Sequence, residues 1–238
     1  MSETSGFDGY SYFLYHLASK FAADKSVLDI GCGIGQGASI LSGYTQKKVL
    51  GVDYSVRAIK QARKNVKANL SFHLANILDL DHSLGKFDLI TMFNTIEHFD
   101  KSEQERIMKV VYGLLDPNGT LIICTNNKRF STGMNPFHKR EMSVGEFKGL
   151  VELLFKAKFS GITQQFHKDF KEDGLKNKSV GFIFKPKFMQ SVIQPMIPPS
   201  IRNYISANWL KLPLSQEKDF SLTGDLEESR SLLAICNK

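Results

Sequence analysis

Two carboxylates bracket a run of glycines in this 238-residue chain. The run reads Asp29-Ile30-Gly31-Cys32-Gly33-Ile34-Gly35-Gln36-Gly37, and Asp53 stands 20 residues beyond Gly33. Glycines in such a loop let the backbone approach a ligand and take dihedral angles closed to other residues. A diphosphate-binding G-x-G-x-x-G fingerprint would need glycine at position 36, where Gln36 stands. A carboxylate two residues ahead of the first glycine also gives a diphosphate nothing. It suits a cation, because it accepts from an ammonium group or positions a water beside one. A carboxylate at the place of Asp53 accepts from both hydroxyls of a ribose. Together the residues call for a cationic adenosine derivative.

Such a loop needs a strand before it and a helix after it. The apolar run 27–30 supplies the strand, and 38–41 is helical in pattern. A second strand over 49–53 ends in Asp53. Ser55 N-caps a helix through 68, with Ile59, Ala62 and Val66 on one face. Strands follow at 72–75 and 87–94. Ser102 with Glu105 has the spacing of a capping box, and the helix it opens stops at Asp116-Pro117-Asn118-Gly119, a turn signal. A fifth strand covers 120–125. Ser143 with Glu146 caps a helix to 157, and 159–166 and 231–236 are the last strands. A further helix spans 10–23. Strands alternating with helices predict an α/β fold with a mainly parallel sheet. Residues 168–229 are too long for a plain connection and hold five of the seven prolines, so they read as a cap inserted into one domain. The expected division is a lid helix in 1–24, a cofactor-binding core in 25–167, the cap in 168–229 and a last strand in 230–238.

At this point the sequence resembles the class I S-adenosylmethionine-dependent methyltransferases. VLDIGCGIGQG is similar to their first motif, VLGVDYS to their second, FDLITMFNTIEHF to their fourth-strand motif, and LLDPNGTLIICTNN to the segment after it. The resemblance implies a Rossmann-like seven-stranded sheet in the order 3-2-1-4-5-7-6, strand seven antiparallel, with helices on both faces. It implies S-adenosylmethionine as cofactor, held by Tyr15, Asp29, Gly31, Cys32, Gly33, Gly35, Gln36, Asp53, Tyr54, Asn76, Ile77, Phe93 and Asn94. Asn76 stands where the family usually has an aspartate that accepts from the adenine amino group. Ile77 would cover an adenine face, and Tyr15 would contact the methionine part or simply pack in the core.

The same resemblance places the catalytic side. His98 is the candidate general base, with Glu97 as its orienting partner. The alternative is that both merely fix the loop. Related enzymes of quinone synthesis hold a metal with a further glutamate three residues before this pair; Asn94 occupies that position here, so no metal is expected. The run Asn135-Pro136-Phe137-His138-Lys139-Arg140-Glu141 resembles a subgroup often linked to glycan and polysaccharide assembly. It offers His138 as the rival base.

Composition sets the remaining bounds. The formal net charge is +7. Residues 174–216 hold six Lys and Arg and no Asp or Glu, so the excess sits in the cap. Aromatic and aliphatic residues interleave with those cations. The segment reads as a buried lid with lysines on its wet face, or as a surface for anionic membrane or a lipid-linked acceptor. No recognisable RNA-binding module accompanies it, which makes nucleic acid the weakest partner. No run of about 18 apolar residues is present. Three dispersed cysteines form neither a disulfide framework nor a zinc pattern. A cytoplasmic protein is expected, membrane-peripheral if the cap meets lipid. The favoured activity is O-methylation of a sugar or glycan-type acceptor. The alternatives are a quinone-like or other small-molecule acceptor, an RNA methyltransferase, and a non-catalytic S-adenosylmethionine-binding module.

Overall fold

A computed structural model describes residues 9–131, 135–164 and 220–238. The expectations for residues 174–216 lie outside these, as does most of the 168–229 insertion.

Five strands run parallel in the first half of the chain. They are β1 (Val27–Ile30), β2 (Val49–Asp53), β3 (Leu70–Leu74), β4 (Phe87–Phe93) and β5 (Leu115–Asn126). β6 (Lys156–Gln164), β7 (Phe220–Thr223) and β8 (Ser231–Asn237) complete one sheet in the order β3-β2-β1-β4-β5-β8-β6-β7. β8 is antiparallel to both β5 and β6. The expected order 3-2-1-4-5-7-6 is therefore present, with β8 in the place of strand seven. β7 is an eighth strand, from residues the sequence places in the insertion. It pairs antiparallel with the edge of β6.

Alternation along the strands builds two cores. Leu28 and Ile30 face one side with Leu50 and Val52, under α4 (Lys101–Leu114) and α5 (Val144–Glu152). Val27 faces the other with Val49 and Leu89, under α1 (Gly9–Ser19), α2 (Gln36–Leu41) and α3 (Val56–Ala62). Helices thus cover both faces, as a mainly parallel sheet requires. α1 is pinned at two points. Tyr10 Oη lies 3.1 Å from Cys124 Sγ on β5, and the Tyr15 hydroxyl donates to Asp29 on β1.

Several boundaries differ from expectation: α1 ends at Ser19 and α5 at Glu152, both short of the expected ends, and three other differences have a local cause. α4 starts two residues early, because Asp100 rather than Ser102 is the N-cap and forms a complete capping box with Glu103. α3 ends at Ala62 in a 3-10 turn over Arg63–Asn65 instead of running to 68. Asp116-Pro117-Asn118-Gly119 does not separate helix from strand. β5 already begins at Leu115, which pairs with Phe87, and the register shifts before Leu89 meets Thr120. The turn residues make an irregularity inside the strand.

Candidate active site

The loops at the C-terminal ends of β1, β2 and β4 gather at one edge of the sheet, where α/β sheets place ligands. The glycines there have different tasks. Gly31 has φ +75°, and a Cβ would meet Thr95 Oγ1 at 2.2 Å. Gly33 has φ +53°, and a Cβ there would find no described atom within 4 Å. Gly31 allows close packing, whereas Gly33 faces open space. Asp53 joins the two loops. One carboxylate oxygen accepts from the Gly33 N–H at 2.9 Å and the other from the Ser55 N–H at 2.8 Å. Each keeps a lone pair for a ligand. Tyr54 beside it is 70% exposed, and Gln36 is exposed at the first position of α2. Gly35 and Cys32 are buried beneath the loop, where burial pushes the Cys32 thiol well up. Asn76 is exposed, and its side-chain oxygen caps the next turn by accepting from Leu78 N–H at 3.1 Å. Ile77 is buried in the core.

Asp29 lies under the glycine loop with no exposed surface. It is opposite Thr91 in the β1–β4 register, and the Thr91 hydroxyl donates to it at 2.8 Å. The Tyr15 hydroxyl lies 3.1 Å from both carboxylate oxygens. Burial dominates and raises this carboxyl from 3.8 to about 7. Tyr15 also stands edge-on to Phe93, ring centres 5.0 Å apart. The helix α1 therefore covers the acid expected to meet an ammonium group. Asn94, just past β4, has φ +46°, in the left-handed region that asparagine tolerates. Its side-chain oxygen is buried and has no hydrogen-bond partner among the described residues. A buried acceptor left unpaired is costly and marks a place where a donor is missing.

The histidines come from two segments that fold onto each other. His98 ends a 3-10 turn over Ile96–His98, and the 135–141 loop returns beside it. Gln104, buried on α4, ties them: its amide donates to the carbonyls of Ile96, Phe99 and Arg140. The Arg140 N–H donates to the Glu97 carbonyl at 3.0 Å. The rings of His98 and His138 end up edge to face, 5.0 Å apart.

Their hydrogen bonds distinguish the two. His138 Nδ1 lies 2.6 Å from Glu141 Oε1, and its Nε2 lies 2.8 Å from Asn135 Nδ2. The Asn135 side-chain oxygen accepts from Phe137 N–H, which fixes the amide orientation and leaves the NH2 facing the ring. A carboxylate and an amide NH2 can both be satisfied only if Nδ1 carries the proton and Nε2 is an acceptor already in use. His98 Nδ1 lies 2.9 Å from the Phe137 carbonyl, which can only accept. That bond puts the proton on Nδ1 and leaves Nε2 with a lone pair and no partner among the described residues. Glu97 does not take the orienting place beside His98. Its fully buried carboxylate accepts from Thr125 at 3.0 Å and Asn126 at 3.5 Å. Burial pushes its pKa up, and the nearby histidines oppose that shift.

A cavity of about 660 Å³ opens next to His138. Its lining is mixed and includes Asn126, Asn127, Asn135 and Ser131 together with Phe130. Among the described residues no three His, Cys, Asp or Glu side chains cluster as a metal site. Sequence reasoning missed Thr91, Gln104 and the clamping role of Asn135. Asn135 lies in the run that singled out His138, but its pairing depends on how the loop folds back.

Residues 27–119 match a family model described as a methyltransferase domain. An uncharacterised protein of Rickettsia prowazekii is 36% identical over 105 residues, 42% of each chain. A probable S-adenosylmethionine-dependent methyltransferase of Mycobacterium tuberculosis is 27% identical over 223 residues, 89% of this chain and 76% of that one. The chain spans about half the length of the first two curated relatives it matches. A methyltransferase structure from Archaeoglobus fulgidus superposes with a TM-score of 0.58 over 94% of both chains at 17% identity, a likeness of fold. The match over residues 27–119, which hold β1 to β4 and the glycine loop, and the shared fold agree in pointing to a methyltransferase-like domain.

Proposed function

We propose that the protein transfers a methyl group from S-adenosylmethionine to a hydroxyl of a sugar-type acceptor, with His98 as general base. The observation that carries this reading is the His98 ring, held by Phe137 with its Nε2 lone pair unused. The cleft also fits the cofactor. Asp53 would hold the ribose hydroxyls, the open backbone at Gly33 would admit the ligand, and the orphaned oxygen of Asn94 would accept from the ammonium group. Asp29 beneath it adds negative charge once ionised.

When bound, the cofactor supplies a methyl group activated by a sulfonium. The protein then has to align the acceptor oxygen, exclude water and remove one proton. His98 Nε2 would accept the proton of the acceptor hydroxyl, and Phe137 keeps the ring in the tautomer that can do so. His138 is a positioning residue, since Asn135 and Glu141 occupy both its nitrogens. The sugar-type acceptor is supported by the resemblance of the 135–141 run and by the polar residues in the cavity lining, Asn126 and Ser131 among them, which offer partners for hydroxyls beside the ring of Phe130. Transfer of labelled methyl to fractionated carbohydrate extract tests the reading. His98→Ala should lower turnover by about 10²–10⁴-fold with cofactor affinity unchanged. His138→Ala should cost about tenfold or less in kcat and act mainly on KM. Equal losses in kcat for both variants, or label appearing only in lipid-quinone or RNA fractions, would contradict it.

A further inference from the structure

The acceptor cavity contains cations that the chemistry above does not use. Lys128, Lys139, Arg140 and Arg230 line it, against one carboxylate, Glu141, which is bonded to His138. Two of the four are neutralised. Lys139 pairs with Glu103 at 3.2 Å and Arg140 with Glu146 at 2.7 Å. Arg129, next to Lys128 in sequence, pairs with Glu228 at 2.7 Å. Lys128 and Arg230 have no acidic partner among the described residues.

These two lie 102 residues apart in sequence, and the sheet brings them together. β5 and β8 pair antiparallel, with Asn126 opposite Ser231. One step beyond, the Asn127 N–H donates to the Arg230 carbonyl at 2.9 Å. Lys128 thus lies two residues past the end of β5, and Arg230 immediately precedes β8. Asn127 anchors the junction: it is buried, and its amide donates to the carbonyls of Leu226 and Ser229. The backbone that presents both cations is fixed, so a bound anion has only the two exposed side chains to order. Two unpaired cations at the mouth of a cavity also raise the local concentration of anions.

We propose that Lys128 and Arg230 form an oxyanion subsite, and that the acceptor is an anionic molecule carrying a carboxylate or phosphoryl group close to the hydroxyl that is methylated. The proposal rests on reading this cavity as the acceptor site. A volume of about 660 Å³ suits an acceptor of small-molecule size. Arg230 presents a planar fork for two oxygens and Lys128 a point charge, a pair suited to binding one oxyanion from two sides. The neutralised pairs Lys139–Glu103 and Arg140–Glu146 brace the loop rather than bind.

The test uses the full chain loaded with S-adenosylhomocysteine, titrated in a calorimeter with inorganic pyrophosphate, digalacturonate and neutral maltose. Pyrophosphate and digalacturonate should bind, and the double variant Lys128→Gln/Arg230→Gln should weaken both by at least about tenfold, as loss of charge-assisted bonds does. Maltose should be indifferent to the substitutions. Binding of only one of the two anions would keep the subsite and name its source, phosphate or carboxylate. Lys139→Gln is the control, because its charge is already paired, and should leave affinity nearly unchanged. No binding of either anion up to about 10 mM, or equal affinity in wild type and double variant, would overturn the proposal. Failure to bind S-adenosylhomocysteine while pyrophosphate still binds would instead overturn the methyltransferase reading and leave the anion subsite standing.

Discussion

Asp29 shows what single residues do here. Its carboxyl is buried, and burial outweighs the bonds from Thr91 and Tyr15, raising it from 3.8 to about 7. The folded protein therefore keeps a proton that the unfolded chain gives up. Between about pH 4 and pH 7 the native state binds more protons, so stability contributed by this group falls as pH rises. Asp29→Asn cannot ionise and should escape that loss. Thermal unfolding without cofactor should show the variant gaining on wild type from pH 4 to pH 8; a difference independent of pH would remove this ionisation from the account. The placement of Asp29 and Asp53 beside the glycine loop was legible in the sequence, because their spacing from the glycines is local. Which histidine keeps a free nitrogen was not. That depends on Asn135 and Phe137, three and one residues before His138, and on a carbonyl 39 positions from His98. No periodicity encodes such a bond.

At the scale of elements, the glycine loop couples the cofactor cleft to α1. A Cβ on Gly37 would meet the Tyr15 ring at 1.9 Å. Gly37→Ala must push α1 away and break the Tyr15–Asp29 bonds. Overpacking of this kind costs about 1–3 kcal/mol. Gly33→Ala makes an instructive contrast. Nothing described obstructs its Cβ, so it should cost only the roughly 1–2 kcal/mol of a left-handed backbone. Yet that Cβ would enter the space left for the ligand. Denaturant unfolding and cofactor titration on both variants should show Gly37→Ala losing more stability and Gly33→Ala losing more affinity. The reverse pattern would mean that α1, not the loop, bounds the cleft. Element boundaries blurred where two signals compete. Asp100–Glu103 and Ser102–Glu105 both have capping-box spacing, and only the structure selects the first. Asp116-Pro117-Asn118-Gly119 looks like a turn, but pairing with β4 draws Leu115 into the strand. β7 is four residues long and separated from β6 by a long insertion, so its pattern carried no signal.

Across the whole molecule, the mainly parallel α/β sheet followed from the alternation of strands and helices, whereas the strand order and the helices on both faces followed from the family resemblance. The basic excess was legible only as composition. It pointed to residues 174–216, whereas the cation pair at the cavity beside His138 is brought there by the pairing of β5 with β8 and is invisible in any window of sequence. No helix among the described residues is long and apolar enough to cross a membrane. The central claim is that the cleft between β1, β2 and β4 binds S-adenosylmethionine through Asp53. Calorimetric titration with S-adenosylhomocysteine tests it most directly. Asp53 accepts from the Gly33 and Ser55 N–H groups, and on the proposed reading its remaining lone pairs would make charge-assisted bonds to the ribose hydroxyls. Removing such bonds costs about 1.5–3 kcal/mol, so Asp53→Ala should bind about 10- to 100-fold more weakly than wild type. Absence of binding by the wild-type protein, or unchanged affinity in Asp53→Ala, would contradict the account.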